Sequence, residues 1–389
     1  MRITAARERT IPIRSALRNA RVSFAEITAT IVAVVTDSVV EGERVIGYAF
    51  NSFGRYACGG PLRERFIPRL LNAAPADILD DSGGNFDPER ILRLLLRNEK
   101  AGAHAERSMS LGTLELALWD AVAKIERRPL YRVISARYGD GLASAHVPCY
   151  VGGGFYAGGD PVRQLTDELK RHLDAGYTQV KIKAGGLPLD ADRARIEAAL
   201  SLVNGGGNLA LDLSCAFERR EALAFAKAVE PYALRWLEEP CEPEDFDTYR
   251  ALRDAYGGVL AGGENLFSAQ EVRNFLRYGD FSGRLVLQPD PALAYGLGEF
   301  VRMRDIAESF GVARAQLMPH GGNLMSLHIA AGLGLGSAES YPGLFGDFSG
   351  FGDEVEINQG YATLPQRPGI GFEAQPGLFR HFSDLAQGA

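Results

Sequence analysis

The chain has 389 residues, long enough for one large domain beside a smaller one. It is 46% hydrophobic and 23% charged, as in ordinary soluble globular proteins. The net charge of −7 argues against a general nucleic-acid or membrane-surface binder, and no apolar run reaches the length of a membrane span. The four cysteines form no CxxC pair and the first residues lack a signal-peptide stretch, so reduced thiols and a cytoplasmic location are expected.

Residues 1 to about 125 are predicted to be α+β. Two β-branched runs, EITATIVAVVTD and RVIGYAFNSFG, flank the polar turn SVVEGE and predict a hairpin or a meander. The segment DPERILRLLLRNE predicts a helix that Asp87 caps, with Pro88 in its first turn. The segment SLGTLELALWDAVAKI predicts a second helix that is apolar on a wide face.

From about residue 145 the pattern changes to alternating helices and strands. The segment PVRQLTDELKRHLDAG predicts a helix that ends at Gly176. Strand-like runs follow at intervals of about 25 residues, a period typical of a parallel sheet that is either doubly wound or closed into a barrel. These runs are TQVKIK, LALDLS, LRWLEEP, GVLAGGE, RLVLQPD and ARAQLMPH.

An ionisable residue lies at or near the end of each of these six runs, at spacings of 29, 26, 26, 26 and 30 residues. Taken alone, an acid after a strand is commonly the N-cap of the next helix, and a single histidine is commonly structural. Six in succession favour a shared site, because the carboxyl ends of barrel strands converge whereas those of a doubly wound sheet spread apart. The six residues are Lys183, Asp212, Glu238, Glu264, Asp290 and His320.

Three of these residues, Asp212, Glu238 and Glu264, are hard oxygen ligands, which suit Mg²⁺ or Mn²⁺ rather than Zn²⁺. A bound cation also explains how three like charges stay ionised together. Three ligands leave coordination positions free for a substrate. If the strand persists beyond Glu238, Glu239 points to its other face and supports the ligands from behind.

Lys183 and His320 would lie on opposite sides of this cation. A lysine base and a histidine acid facing a metal-bound carboxylate fit removal of the proton α to that carboxylate, with the metal stabilising the enediolate. Asp290 is placed to hold the imidazole and raise its pKa. Lys181, two residues before Lys183, is predicted to lower the pKa of Lys183 toward neutrality; the alternative is that Lys181 pairs with one of the carboxylates.

The motifs KIK, LALDLS, WLEEP, GGEN and PHGG resemble those of the enolase superfamily in its mandelate racemase-like branch, where a lysine or histidine base working with Mg²⁺ is already known. The resemblance covers essentially the whole chain. It implies an α/β fold: a modified (β/α)₇β TIM-type barrel with an N-terminal α+β capping domain. The implied boundaries are 1–130 for the specificity-determining cap, 131–365 for the barrel, and 366–389 for a C-terminal segment that returns to the cap.

Cap and loop stretches, among them RNARVSF, YAFNSFGRYACGG, NEKAGAHAERS and LGLGSAESYP, are similar to those of D-tartrate dehydratases within this branch. This implies a lyase that converts D-tartrate to oxaloacetate, in which Lys183 takes the α proton and His320 protonates the departing hydroxyl. Two departures from the family pattern are Ser214, where the family usually has Asn, and Asn323, where the related enzyme has His. The substrate contacts implied by the resemblance are Asn19, Asn51, Lys100 and Glu339.

Other functions remain open from the residues. A racemase or epimerase, or a dehydratase of another acid sugar, would use the same site. A Schiff-base aldolase would use Lys183 as a nucleophile, and a binding protein would keep only the metal site. The three-carboxylate spacing disfavours the aldolase, and the acid/base pair disfavours the binding protein. We expect a small dicarboxylate or acid-sugar substrate and, by analogy with such barrels, a homo-oligomer.

Overall fold

The structure, a computed structural model, describes residues 1–52, 55–139, 141 and 143–388. Both ends of the chain form a cap, and the middle forms a barrel beneath it. Residues 53–54, which belong to one stretch of the cap resemblance, and residue 389, at the end of the implied C-terminal segment, lie outside the described residues. Within the described residues, no helix combines the length and the apolar character needed to cross a bilayer.

The cap is built on a three-stranded antiparallel sheet in which β2 lies between β1 and β3. The pairing of β2 with β3 confirms the predicted hairpin, but the turn is shorter than the predicted segment, because residues 38–40 still belong to β2 and Glu43 to β3. The edge strand β1 was not predicted, because its charged residues hide the alternation that marks a half-buried strand. The strands are β1 (Ile3–Pro12), β2 (Thr28–Val40) and β3 (Glu43–Phe50).

One long helix covers this sheet. Residues 108–123 of α5 (Glu106–Ile125) are all buried. The helix approaches β3 so closely that a Cβ at Gly47 would lie 1.9 Å from the carbonyl oxygen of Ala117, so only glycine fits there. Asp87 caps α4 as predicted, accepting from the backbone N–H of Arg90. The other cap helices are α1 (Gly59–Pro61), α2 (Ile67–Leu71), α3 (Pro75–Ile78) and α4 (Pro88–Leu95), with a π-helical turn, Leu62–Phe66, between α1 and α2. The next helix, α6 (Leu130–Tyr138), packs mainly on a helix of the barrel.

The barrel consists of parallel strands that neighbour one another in chain order, with the last strand pairing back to the first. This closure confirms the barrel over the doubly wound alternative. The strands are β4 (His146–Gly153), β5 (Val180–Lys183), β6 (Leu209–Asp212), β7 (Trp236–Glu238), β8 (Leu260–Gly262), β9 (Leu285–Leu287) and β10 (Ala338–Ser340). A small hairpin, β11 (Glu356–Asn358) and β12 (Tyr361–Thr363), pairs antiparallel with the start of β4.

The segment ARAQLMPH, predicted to form a strand, occupies the seventh position of the barrel without forming one. Arg314–Gln316 form a 3₁₀ turn, and Leu317 alone makes a bridge to Leu287. The backbone N–H of Met318 donates to Leu287 O, and that of Gly336 donates to Leu317 O, both at 3.0 Å. This single-residue seam is enough to close the barrel and to carry the chain to His320.

Helices surround the barrel. They are α7 (Pro161–Asp174), α8 (Leu189–Leu202), α9 (Arg219–Val229), α10 (Phe246–Ala255), α11 (Ala269–Gly279), α12 (Leu297–Ser309) and α13 (Leu324–Leu333). Short 3₁₀ segments lie at Gly206–Asn208, Glu230–Tyr232, Gly346–Phe348 and Phe372–Ala374. The apolar faces of these helices join the barrel and the cap in one continuous hydrophobic core.

The C-terminal helix α14 (Pro376–Gln387) returns to the cap. The ring of Phe382 packs on Tyr48 of β3 with 5.0 Å between centroids. Lys124 of α5 lies between two acids, with its Nζ 2.6 Å from Asp120 and 2.5 Å from Glu373. The C-terminal segment is therefore held to the cap by apolar and ionic contacts. The three domain boundaries given above stay predictions.

Candidate active site

The predicted metal ligands lie together at the carboxyl ends of adjacent strands. Asp212 at the end of β6 is paired with Lys183 on one side and with Glu238 on the other. Glu264 follows β8 by two residues. One carboxylate oxygen from each of Asp212, Glu238 and Glu264 lies within 4.8 Å of the others. We call these three residues the carboxylate cluster.

Hydrogen bonds orient the carboxylate cluster from behind. Trp236 Nε1 and Gln288 Nε2 donate to Glu238 Oε2 at 2.8 and 2.9 Å. Asp212 Oδ1 accepts from the backbone N–H and the hydroxyl of Ser214, at 2.8 and 3.1 Å. Ser214 thus supports Asp212 where the family usually has Asn. An all-oxygen donor set that is buried or half-buried and held in this way fits a hard divalent cation such as Mg²⁺.

Lys181 is 1% exposed and lies inside the barrel, one layer below the cluster. Its Nζ is 2.5 Å from Glu238 Oε1, 2.6 Å from Glu339 Oε1 and 3.6 Å from Asp212 Oδ2. Burial acts to lower the pKa of Lys181, but Glu238 and Glu339 raise it, and the net pKa lies well above its ordinary value. Lys181 therefore forms ion pairs with carboxylates, which is the alternative role considered for it.

Lys183 lines the mouth of the barrel. Its Nζ bonds Asp212 Oδ2 and lies 5.1 Å from the centroid of the Phe155 ring. Burial and the charge of Lys181 lower the pKa of Lys183, while Asp212 and the other carboxylates raise it. The net pKa lies above the ordinary value. Lys181 thus acts in the direction predicted from the sequence, but the carboxylates outweigh it.

His320 and Lys183 lie on opposite sides of the carboxylate cluster. Its Nδ1 is 2.8 Å from Asp290 Oδ2, as the sequence predicts, and its Nε2 is 3.1 Å from Glu264 Oε2. Burial alone would lower the pKa of His320, but Glu264 and the Asp290 hydrogen bond raise it to about 10. Glu339 Oε2 lies 3.8 Å from Nε2. A protonated imidazole is thus positioned at the mouth of the barrel; the contact of Glu339 with a substrate stays a prediction.

A cavity of about 560 Å³ separates the barrel mouth from the cap. Asn19 lines it, and its Oδ1 accepts from the backbone N–H groups of Arg21 and Val22, at 2.8 and 2.6 Å. Asn51 is fully buried, and its side chain bonds the backbone N–H of Thr30. Lys100 is exposed. Among the described residues, Asn51 and Lys100 are not part of the cavity wall, and the substrate contacts of Asn19, Asn51 and Lys100 stay predictions.

Glu239 lines the cavity, so its expected place on the far face of the strand was wrong. β7 ends at Glu238, and a φ of 40° at Glu239 turns its side chain back toward the cavity. Asn265 Nδ2 lies 2.8 Å from both carboxylate oxygens, and Cys215 Sγ donates to Oε2 at 3.1 Å. Burial first, then the charges of Glu264 and Asp212, raise the pKa of Glu239 to about 8.

Other cavity residues come from loops and were not singled out as site residues from the sequence. No periodicity marks them, because their place depends on how the cap sits over the barrel. One of them, His104, bonds the hydroxyl of Tyr295 through its Nδ1 at 3.0 Å. The set includes Arg21, Arg55, His104, Phe155 and Phe267.

A network of mostly buried side chains joins the cap loop to the strand that carries Lys183. Arg18 and Tyr156 exchange two backbone hydrogen bonds, at 3.0 and 2.8 Å. The Tyr156 ring lies between two guanidinium groups, with centroid distances of 5.0 Å to Arg18 and 4.4 Å to Arg195. Tyr156 donates from its hydroxyl to Asp192 at 2.9 Å. The cap loop is therefore docked on the rim of the barrel beside Lys183.

Comparison with known sequences matches residues 164–377 to the family described as "Enolase C-terminal domain-like". Arabinonate dehydratase of Saccharolobus solfataricus is 25% identical over 276 residues, covering 69% of this chain and 70% of that protein. A 3,6-anhydro-alpha-L-galactonate cycloisomerase of Streptomyces coelicolor is 28% identical over 271 residues, with 69% and 70% covered. L-talarate/galactarate dehydratase of Salmonella typhimurium is 26% identical over 310 residues, with 78% and 73% covered.

Solved structures share the fold. A racemase from Streptomyces coelicolor A3(2) with bound magnesium has a TM-score of 0.76 and 22% identity, covering 98% of both chains. L-talarate dehydratase from Polaromonas sp. JS666, complexed with Mg and L-glucarate, has a TM-score of 0.75 and 24% identity, covering 95% of this chain and 94% of that one. The likeness confirms the predicted α/β architecture of an N-terminal cap on a β/α barrel.

Proposed function

The chain belongs to the enolase superfamily, and from this premise we propose that it is a Mg²⁺-dependent dehydratase of acid sugars. The observation that carries the proposal is the placement of Lys183 and His320 on two sides of the carboxylate cluster, both facing one cavity. Two relatives, arabinonate dehydratase and L-talarate/galactarate dehydratase, remove water from acid sugars according to their names. They support this reaction over the alternatives.

Asp212, Glu238 and Glu264 would hold Mg²⁺, with the bonds from Trp236 and Ser214 keeping their carboxylates in place. When bound, the cation supplies positive charge at the substrate carboxylate, where negative charge grows as the α proton leaves. Carboxylates committed to a cation no longer raise the pKa of Lys183. The charge of Lys181 and burial then act on Lys183 in the direction a base requires.

Lys183 Nζ takes the proton from the carbon α to the substrate carboxylate, and the electron pair of that C–H bond moves toward the carboxylate. The pair then returns to form the C=C bond as the C–O bond to the β-hydroxyl breaks. His320 gives the departing hydroxyl a proton, so that it leaves as water. The enol that remains tautomerises to a 2-keto acid.

Asp290 keeps the imidazole ready for this step. Its carboxylate accepts from His320 Nδ1 and stabilises the imidazolium form, in which both ring nitrogens carry a proton and Nε2 can give its own toward the cavity. The backbone N–H of Ala292 donates to Asp290 Oδ1 at 2.8 Å and fixes the carboxylate in turn. Lys181 acts as a buried countercharge for Glu238 and Glu339, besides its effect on Lys183.

The finer proposal is that the substrate is D-tartrate and the product oxaloacetate. It is supported by the cap and loop stretches that resemble D-tartrate dehydratases. A racemase or epimerase is the second candidate, because a racemase shares the fold and the same two residues face the cavity from opposite sides. A homo-oligomeric state stays a prediction.

The test is formation of a 2-keto acid, with Mg²⁺ present, from D-, L- and meso-tartrate and from arabinonate, galactarate, gluconate and galactonate. Lys183→Ala is the inactive variant, and Lys170→Ala, which changes an exposed lysine of α7, is its matched control. Keto acid from D-tartrate alone, lost only in Lys183→Ala, supports the finer proposal. Keto acid from another acid sugar supports the dehydratase and removes D-tartrate. Exchange of the α proton with solvent deuterium, without loss of water, favours the racemase.

A further inference from the structure

We propose that Arg55 binds the second carboxylate of a dicarboxylate substrate, the one remote from the carboxylate cluster. The inference rests on the proposed function and narrows its substrate class. Acid sugars that end in two carboxylates would be preferred over those that end in one carboxylate and one CH₂OH group.

Arg55 lies in the cavity wall on the side of the cap. Its guanidinium carbon is 5.3 Å from the ring centroid of Phe267. Phe267 also lines the cavity, and it follows Glu264 of the carboxylate cluster by three residues. An aromatic face therefore positions this cation beside the loop that carries one of the three ligands, and leaves its N–H groups available for hydrogen bonds.

Arg55 differs from the other basic side chains of the cavity in what it contacts. Each of the others has an acidic partner within 4.0 Å. Within the described part of the chain, no carboxylate lies within that distance of the Arg55 guanidinium, although Arg55 is only half exposed. The other pairs are Arg21 with Glu242, His104 with Glu271, Lys183 with Asp212, and His320 with Asp290.

A guanidinium in a cavity wall without an acid of its own is well suited to an acid brought by the ligand. Its planar fork matches a carboxylate with two parallel N–H···O bonds, and such charge-assisted bonds are stronger than bonds to a hydroxyl. The substrate's reacting carboxylate belongs at the carboxylate cluster, so the other end of a linear acid points toward the cap. The cavity, about 560 Å³, is large enough to hold such an acid.

Phe267 and His104 restrict what Arg55 can bind. His104 is held by Tyr295 at 3.0 Å, so it is a fixed polar group on the same wall and suits the hydroxyls of a sugar chain. The Phe267 ring covers one face of the Arg55 guanidinium and has no group that can hydrogen-bond a ligand hydroxyl. Arg55 thus distinguishes acids by their terminal group, while the hydroxyl pattern is read elsewhere.

The experiment is calorimetric binding of matched acids to the full chain with Mg²⁺, on a Lys183→Ala background that prevents turnover. Galactarate and galactonate differ only in the terminal group, as do D-tartrate and D-threonate. We expect the parent to prefer the diacid of at least one pair. We expect Arg55→Met to weaken diacid binding by roughly 10- to 100-fold, leaving the monoacid within about twofold.

Arg277→Met, on the exposed face of α11, removes the same charge far from the cavity and should leave the preference unchanged. Arg55→Lys keeps the charge without the fork and should fall between the two; it also serves if Arg55→Met proves unstable. Equal losses for diacid and monoacid, or a parent without a diacid preference, would overturn the proposal. Failure of the proposed function would instead appear as no product from wild-type protein while Arg55→Met still loses the preference.

Discussion

Arg195 donates a hydrogen bond from Nη1 to the main-chain carbonyl oxygen of Lys183, with 2.8 Å between the two atoms. Arg195 is 1% exposed, and its Nη2 donates to the carbonyl of Gly154 just after β4. One buried guanidinium thus joins the ends of the two strands on the Lys183 side of the barrel. Through the Tyr156 ring it also contacts the cap loop at Arg18.

From this network we predict that Tyr156→Phe impairs the base more than it impairs substrate binding. The substitution removes the hydroxyl that bonds Asp192 and the backbone N–H of Gly186, while the ring stays between its two guanidinium groups. We expect kcat and the rate of α-proton exchange in D₂O to fall together by about tenfold, with a smaller change in KM. Tyr232→Phe, which loses a surface hydroxyl bonded to Glu197, is the control. An unchanged rate of α-proton exchange together with a lowered Tm would show that the network stabilises the fold without acting on Lys183.

Asp290→Asn should separate the two halves of the reaction. Asn keeps the shape of Asp290 but removes the charged hydrogen-bond acceptor, which together with Glu264 raises the pKa of His320. Keto-acid formation is expected to fall by roughly 10- to 100-fold, the usual cost of losing such a supporting partner. Exchange of the α proton by Lys183 should persist. The two rates are measured on one sample by NMR, and a parallel loss of both would contradict the assignment of His320 to the departing hydroxyl.

Magnesium should stabilise the folded chain, because the carboxylate cluster exists only in the folded state. At 100 times Kd the free energy of unfolding should rise by about 2.7 kcal/mol. Differential scanning calorimetry with and without Mg²⁺ measures this as an increase in Tm. Glu264→Gln should remove most of the increase, whereas Glu244→Gln, at the edge of the same cavity, should keep it. An equal Tm increase in both variants would place the cation elsewhere.

The buried histidine His328 predicts a loss of stability in acid. Its ring bonds the backbone N–H of Tyr131 at 3.1 Å and the carbonyl of Ile370 at 2.9 Å. Burial lowers its pKa to about 4. An unfolded histidine titrates near pH 6.5, so between about pH 6.5 and 4 the unfolded chain binds a proton that the folded chain does not. The free energy of unfolding should therefore fall as the pH falls through this window, by about 3 kcal/mol.

Urea unfolding at pH 7.5 and at pH 4.5 checks this. His328→Gln can replace both hydrogen bonds without titrating, so it should lose less stability between the two pH values than the wild type. His381→Gln, at a half-exposed position beside Asp347, should behave as the wild type does. The same acid sensitivity in His328→Gln would assign the effect to another group.

The sequence was most informative where one physical rule acts locally. A period of about 25 residues, with an ionisable residue at each strand end, was enough to predict the barrel and the cluster. The Asp87 cap followed from the preference of helix N-termini for a side-chain acceptor. The types of residue at the strand ends predicted the cation and the acid/base pair because few chemistries use three acids between a lysine and a histidine.

Features that depend on distant contacts were not predictable. Glu239 was misplaced because β7 ends at Glu238 and the positive φ of Glu239 turns its side chain toward the cavity. The charge of Lys181 lowers the pKa values of Lys183 and of Glu238 alike, and only the distances show that Lys181 forms an ion pair with Glu238. Arg55 and Phe267 carry no pattern at all, since one comes from the cap and the other from a barrel loop.

The seam at Leu317 makes the two sides of the cavity unequal. On the side of the base, β4, β5 and β6 are joined by ladders of several residues, and Arg195 joins their ends. On the side of His320, a single bridge between Leu287 and Leu317 and a few hydrogen bonds hold the barrel together. Backbone amides near the seam should exchange with solvent sooner than those of β5. Related proteins could therefore replace the proton donor on the His320 side, and so alter the outcome of the reaction, while removal of the α proton on the Lys183 side stays the same.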